Sequence, residues 1–412
     1  MSRTPRLHIP HPPGRPGDVP DFSYVEISPA GAVPRPDITT RLRDIERSLA
    51  FDMVRVLDDA HEAVGPWHPH LEAQDLQVGL RHMLLTRLYD DRMVRMQRQG
   101  RISFYMKSRG EEAVAVAAAM ALEPSDMLFP SYRTQGLQIS RGRNPVDLMC
   151  QCLSNTRDMC KGRQMPVMYH WARGNIFSIS GNLTTQFPQA VGWAMASAIK
   201  GEDAIAAAWI GEGSSAEADF HHAMTFASVY RAPVVLNIVN NQWAISTFQG
   251  FAGGENRPFA ARGPGYGIAG LRVDGNDFLA VYAATAWAAE RARRGHGPTL
   301  IEHVTYRADA HSTSDDPSRY RPKDEALAWP LGDPLERLKQ HMISEGCWSD
   351  EQHEKLTQEL TALLDAAWVE ATSYGTMTEG PSLDRNELFE DVFKDMPNHL
   401  LRQRDELRAL EG

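Results

Sequence analysis

The sequence predicts an α/β fold: a parallel sheet flanked by helices, between an extended N-terminal arm and a helical C-terminal segment. Two observations carry this. The runs "DAIAAAWI", "APVVLNIVN" and "GPTLIEHVTY" are continuous apolar stretches, the pattern of strands buried on both faces. The segments between them, 214–230 and 278–294, have helical spacing, and strand–helix–strand order implies parallel strands covered by helices.

In chain order, residues 1–40 are rich in Pro and Gly with little periodicity. Such an arm can be ordered only by lying on another surface. "ITTRLRDIERSLAFDMVRVLDDAHEAV" has helical spacing. So does "QDLQVGLRHMLLTRLYDDRMVRMQRQG", with Leu76, Leu80, Met83 and Leu84 on one face and Leu88 at its edge. These N-terminal helices fill 41–100. The α/β unit runs over 101–335, and 336–412 is a helical segment ending in a charged tail.

Composition narrows the function. The 412 residues are 42% hydrophobic and 23% charged, ordinary for a globular chain. A net charge of -10 argues against nucleic acid or an anionic membrane as partner, since both select basic surfaces. No apolar run approaches the roughly 18 residues of a spanning helix. "MSRTPRLHIPHPPGRPGDVPDF" lacks the apolar core of a secretory signal and is too proline-rich for a transit helix, so a cytoplasmic location is expected. Cys150, Cys152, Cys160 and Cys347 lack zinc-site spacing and read as reduced structural thiols.

The chemistry is concentrated in "AWIGEGSSAEADF". Gly211, Gly213 and Ala216 fit G-x-G-x-x-A, a dinucleotide fingerprint. The next strand, however, ends in Asn240 and Asn241 rather than in a ribose-binding acid. A tight glycine turn without a ligand is a second reading. A third uses the acid: Glu212 and Asn241 end consecutive parallel strands, so both stand at the carboxyl edge where ligands bind. Mg²⁺ takes six hard oxygen ligands and is commonly shared between a carboxylate and phosphate oxygens. Glu212, the Asn241 amide and a main-chain carbonyl just beyond it supply three, leaving the rest to a diphosphate and water.

Gly-Asp-Gly followed one crossover later by Asn-Asn is the thiamin diphosphate motif, and this chain resembles that family with Glu212 in place of Asp. The stretches "RQGRISFYMKSRGEEAVAVAAAMALEPSDMLFPSYRTQG", "ISGNLTTQFPQAVGWAMASAIK" and "YRADAHSTSDDPSRYRP" resemble alpha subunits of 2-oxoacid dehydrogenase complexes over residues 60–340. The loop His311-Ser312-Thr313-Ser314-Asp315-Asp316 and "GNLTTQFPQAVG" are similar to the branched-chain members rather than to the pyruvate members.

The resemblance implies a thiamin diphosphate-binding fold and the oxidative decarboxylation of branched-chain 2-oxoacids, with reductive acylation of a lipoyl group on an acyltransferase. It also implies residue roles. Tyr132 and Arg133 match the pair that meets the diphosphate, as do Gly181, Leu183 and the turn residues Gly211, Glu212, Gly213 and Ser214. Glu212, Asn241 and the carbonyl of Trp243 match the Mg²⁺ ligands. Ser180, Thr185 and Gln186 match ligands of a structural K⁺, and Asn182 stands where relatives have Pro, a change that leaves a main-chain carbonyl ligand intact. Val239 departs from an arginine that touches the phosphates in relatives. His311 matches the catalytic histidine and also borders the cofactor, with Arg307, Asp315, Tyr320 and Arg321 ordering its loop. That loop is expected to be mobile until the cofactor binds. Ser312 matches a phosphorylated position of mitochondrial relatives, and Pro322 occupies the place of a second.

Residues 101–335 account for only one of the two domains such enzymes need. The pyrimidine half, with its glutamate, is expected from a separate beta chain in an assembly of two alpha and two beta subunits, the N-terminal arm being a candidate for wrapping a partner. A pyruvate dehydrogenase alpha subunit, an NAD-dependent oxidoreductase using the glycine turn, and an inactive subunit that kept the fold are the alternatives.

Overall fold

The computed structural model describes residues 7–41 and 46–410. A short helix α1 (Glu46–Phe51) leads into strand β1 (Met53–Val54) and a long helix α2 (Ala73–Arg98). Then come α3 (Glu112–Ala121), β2 (Met127–Phe129), α4 (Gln135–Ser140), α5 (Pro145–Leu153), α6 (Gln186–Lys200), β3 (Ala206–Gly211), α7 (Ala218–Tyr230) and β4 (Val234–Asn240). A small hairpin, β5 (Trp243–Ala244) and β6 (Thr247–Phe248), and a helical turn α8 (Arg262–Gly265) precede β7 (Ala269–Asp274), α9 (Phe278–Arg293) and β8 (Thr299–Val304). Helices α10 (Pro334–Ser344), α11 (Asp350–Ser373) and α12 (Asn398–Ala409) complete the chain.

The six-stranded sheet has the order β1-β7-β8-β4-β3-β2, and every pairing is parallel. Alternate residues feed two cores. Ala207, Trp209, Val235, Val239, Leu271, Val273 and Ile301 face one side with α2, α3 and α9. Ala206, Ala208, Ile210, Val234, Leu236, Ile238 and Leu300 face the other with α6 and α7. Burial on both faces is why these strands read as unbroken apolar runs. Along α2 the expected face is buried: Leu76, Leu80, Met83 and Leu84, with Leu88 packed at its edge.

The helix expected over 38–64 does not form. Of that stretch the structure has only α1 and β1, and residues 42–45 lie outside the described residues. Met53 pairs with Arg272 and Val54 with Val273, closing the open edge of β7. Val56 and Leu57 then donate their N–H groups to the Asp277 carboxylate at 2.7 and 2.6 Å. Met53 to Leu57 are all buried, which extended chain inside the protein achieves and an amphipathic helix does not. Strand β7 was also unmarked by pattern, because Gly270 and Arg272 interrupt it. Arg272 is accommodated by donating to the Glu26 carbonyl, at 2.8 Å, and to that of Phe51.

The arm lies against its own chain. Phe22 meets Tyr306 and Trp329 edge-on at 5.5 and 5.0 Å between ring centroids, and Tyr24 meets Phe248 at 5.4 Å. All four cysteines are free thiols, Cys150 and Cys152 buried within α5. Among the described residues no helix is long and apolar enough to cross a membrane.

Candidate active site at the carboxyl edge of the sheet

Parallel strands deliver their carboxyl ends to one edge, and β2, β3, β4 and β8 each run out there into a loop that carries a polar side chain. Glu212 follows β3 and is 1% exposed. Asn241 follows β4, and Arg307 leaves the end of β8. Arg133 sits between β2 and α4, and Glu111 stands at the start of α3.

Backbone geometry brings these groups together. Gln242, in the left-handed region at φ 74, turns the chain sharply between Asn241 and Trp243, and its amide donates to the Asn240 and Thr305 carbonyls to hold the turn. Gly213 lets the hairpin β5–β6 approach the β3 turn, since a Cβ there would stand 2.5 Å from that of Ala244. Gly110, at φ +97 with Tyr306 O 2.1 Å from where a Cβ would be, does the same for Glu111 against the β8 exit. At Gly181 and Gly211 a Cβ would meet nothing within 4 Å. These two glycines therefore leave backbone open to a ligand's approach.

Tyr132, Arg133, Ser180, Asn182, Leu183, Gln186, Gly211, Ser214, Val239 and Asn241 line one cleft with Glu111. Leu183 is half-exposed at its mouth. The Ser180 hydroxyl accepts the Asn182 N–H, and the Thr185 hydroxyl donates to the Asn182 carbonyl, both at 3.1 Å. The buried Oε1 of Gln186 has no partner. Val239 adds no charge, so guanidinium groups near the cleft come from Arg133 and Arg307.

Glu111 was missed by the sequence reading. It accepts the Asn241 Nδ2 at 2.7 Å and lies 3.5 Å from Arg133 Nε. Burial pushes its carboxyl up to about 7, against the opposing pull of Arg133 and the Asn241 hydrogen bond. Only the pair of adjacent acids in "GEEAV" marked the position, and nothing in that pattern says which acid faces the cleft. Its neighbour Glu112 instead binds Arg87 at 2.7 Å, away from the cleft.

Glu212 is likewise pushed up to about 7 by burial, and its Oε1 is buried without a hydrogen-bond partner. A buried carboxylate oxygen with no donor is costly unless a cation satisfies it. Asn241 Oδ1 accepts only the Trp243 N–H, at 3.2 Å, and keeps a second lone pair. The Trp243 carbonyl accepts Arg307 Nη1 at 3.0 Å, so it too retains one. Among the described residues no three His, Cys, Asp or Glu side chains form a metal cluster. The donor set here is instead one carboxylate, one amide and one carbonyl, hard oxygens that suit Mg²⁺ beside a phosphate.

His311 stands behind two of the cleft's residues, its ring edge-on to Tyr132 at 5.9 Å between centroids and beside Arg133. Arg133 Nη2 donates to its carbonyl at 2.9 Å and stands 3.2 Å from its Nδ1. Guanidinium only donates, so Nδ1 is the acceptor and the neutral ring carries its proton on Nε2. Burial, then Arg133 and Arg307, hold the imidazole pKa down at about 3. The His311 loop is tied from within. Asp315 accepts the His311 N–H at 2.7 Å and the Tyr320 hydroxyl at 2.6 Å. Arg307 donates to Tyr320 at 2.7 Å, and Arg321 to the carbonyls of Arg307, Ala308 and Asp309 at 2.7, 3.0 and 3.1 Å. Losing the Arg321 bonds removes about 3 kcal/mol or more of local stability, given about 1.5–3 kcal/mol for each bond to a charged group. Arg321→Ala is therefore expected to raise the subtilisin cleavage rate within 307–321 about 10²-fold, mapped by mass spectrometry. An unchanged rate would mean these bonds do not hold the loop.

A family model described as "Dehydrogenase E1 component" matches residues 80–379, and one described as "2-oxoisovalerate dehydrogenase E1 alpha subunit N terminal" matches residues 3–41. The chain is 59% identical over 402 residues to the 2-oxoisovalerate dehydrogenase subunit alpha of Pseudomonas aeruginosa, covering 98% of each chain. It is 40% identical to the mitochondrial 2-oxoisovalerate dehydrogenase subunit alpha of Mus musculus, over 86% of this chain and 79% of that one. With the same subunit of Dictyostelium discoideum it shares 42% identity, over 79% of this chain and 73% of that one. On these matches, and with a six-stranded parallel sheet flanked by helices, the chain belongs to the dehydrogenase E1 component family.

Proposed function

We propose that this chain is the alpha subunit of a thiamin diphosphate-dependent branched-chain 2-oxoacid dehydrogenase, a 3-methyl-2-oxobutanoate dehydrogenase (2-methylpropanoyl-transferring). The observation that carries the reading is the unpartnered carboxylate oxygen of Glu212 beside Asn241, in a chain so similar to 2-oxoisovalerate dehydrogenase alpha subunits. Glu212, Asn241 and the Trp243 carbonyl hold Mg²⁺. The N–H groups around Gly211, Gly213 and Ser214, with Tyr132, Arg133, Gly181 and Leu183, receive the diphosphate, and Arg307 supplies the charge that Val239 does not. Ser180, Asn182, Thr185 and Gln186 hold K⁺, for which the unpartnered Gln186 Oε1 is the supporting feature. Bound thiamin diphosphate supplies the electron sink for decarboxylation. His311 presents the Nε2 proton to the substrate's oxygen, and its loop screens the reacting carbon from water. The partners are a beta subunit, in an assembly of two alpha and two beta chains, and a lipoyl-bearing acyltransferase.

The test is turnover with an artificial electron acceptor. The isolated chain with thiamin diphosphate and Mg²⁺ is expected to leave 3-methyl-2-oxobutanoate untouched, and addition of the beta chain is expected to start turnover. Pyruvate should be poorer by about 10- to 200-fold in kcat/KM, the range that small apolar differences in a pocket provide. Full activity of the chain alone, or a preference for pyruvate, would sink the reading.

A further inference from the structure

We propose that Glu111 is a positioning residue for the cation: it orients the Asn241 side chain so that an oxygen, not the amide nitrogen, faces the metal. The inference rests on the reading of Glu212 and Asn241 as Mg²⁺ ligands. The two ends of an asparagine amide are nearly the same size and shape, and only Oδ1 can bind a cation, so something must choose between them. Here Nδ2 donates to Glu111 Oε1 at 2.7 Å, while Oδ1 accepts the N–H of Trp243 at 3.2 Å. Rotating the amide by half a turn would set Oδ1 against a carboxylate oxygen and Nδ2 against an N–H. Both contacts would then be repulsive.

The lock is internal. Glu111 is 4% exposed and Asn241 is 8% exposed, so water offers the amide little alternative. The carboxylate has a fixed origin, because the left-handed Gly110 presses against Tyr306 O and α3 begins directly after Glu111. Arg133 Nε, 3.5 Å from the same Oε1, offsets the charge, so this acid stays beside the site without serving as a ligand. One carboxylate thus tethers a metal ligand and the arginine that meets the diphosphate.

The experiment uses the full chain assembled with its beta partner, titrated with Mn²⁺ in the presence of thiamin diphosphate. Free Mn²⁺ is read by electron paramagnetic resonance and assembly by gel filtration. Glu111→Leu keeps bulk but accepts nothing, and it is expected to weaken Mn²⁺ binding 10- to 100-fold, as loss of a ligand's own partner typically does. Glu111→Gln can still accept from Nδ2 and should stay within about threefold of wild type. Unchanged binding in Glu111→Leu overturns the proposal. So does a loss in Glu111→Gln as large as in Glu111→Leu, because the carboxylate would then be a direct ligand. A pair of variants decides the matter even where Glu111→Leu does not assemble. Asn241→Asp presents an oxygen in either orientation but faces Glu111 with like charge. Adding Glu111→Gln to Asn241→Asp should therefore restore binding at least tenfold over Asn241→Asp alone, and no restoration overturns the proposal. Failure of the wild-type complex to bind Mn²⁺ with thiamin diphosphate, or normal binding by Glu212→Ala, would instead strike the site reading itself, and the inference would fall with it.

Discussion

Glu212→Ala is expected to abolish Mg²⁺-dependent cofactor binding while making the cofactor-free chain more stable. The two effects have one cause. The Glu212 carboxyl is buried with one oxygen unpartnered and is held up at about 7 by that burial, so the fold without a cation carries a group it does not satisfy. Removing the acid removes the penalty, worth about 1–3 kcal/mol for an unsatisfied buried polar group. Removing a metal ligand should cost more than the 10- to 100-fold that loss of a ligand's supporting partner costs, so binding is expected to fall at least about 10²-fold. The sign with pH follows from the raised value. Stability associated with this carboxyl is complete below its unfolded value near 4.5 and is lost as pH rises through about 7. The melting temperature of the cofactor-free variant should accordingly exceed that of wild type by more at pH 8 than at pH 5. Titration of thiamin diphosphate by tryptophan fluorescence, with and without Mg²⁺, checks the first effect. Wild-type affinity in the variant would remove Glu212 from the metal site.

His311→Asn is expected to lower kcat of the assembled enzyme by about 10²- to 10⁴-fold, the contribution of a positioned proton donor. Its cofactor affinity should change far less, because Arg133 donates to the His311 main-chain carbonyl as well as approaching the ring, and the carbonyl survives substitution. The ring is neutral in the folded chain, with its pKa held down at about 3. Folding stability tied to this ring is therefore present above the ordinary histidine value and is lost as pH falls below it toward about 3. His311→Asn should lose less stability than wild type between pH 7 and pH 5 in the absence of cofactor. An enzyme with near-normal kcat after this substitution would take the proton donor elsewhere.

Sequence by itself determined the elements that are buried on both faces or that carry a tight turn. Strands β3, β4 and β8 announced themselves because a strand enclosed by helices must be apolar throughout, α2 because one stripe of it is apolar, and α9 because it is apolar on nearly every side. Glu212 and Asn241 could be named for a related reason: each immediately follows a strand whose end is legible, and parallel order alone sends those ends to a common edge, whereas His311 was marked only by the resemblance of its loop to the family. Tertiary structure decided the rest. Met53 and Val54 are strand because β7, far along the chain, offers an open edge that the local sequence cannot advertise, and the choice between helix and strand there depends on pairing rather than on propensity. Glu111 joined the site on the same ground. Its place depends on the backward turn at Gly110 against Tyr306, a residue far along the chain, and on an amide and a guanidinium that come from two other loops. Periodicity records which face of an element is buried, since burial repeats along the chain. It does not record which buried acid meets which amide, because those contacts exist only once the separate loops have been brought to one edge of the sheet.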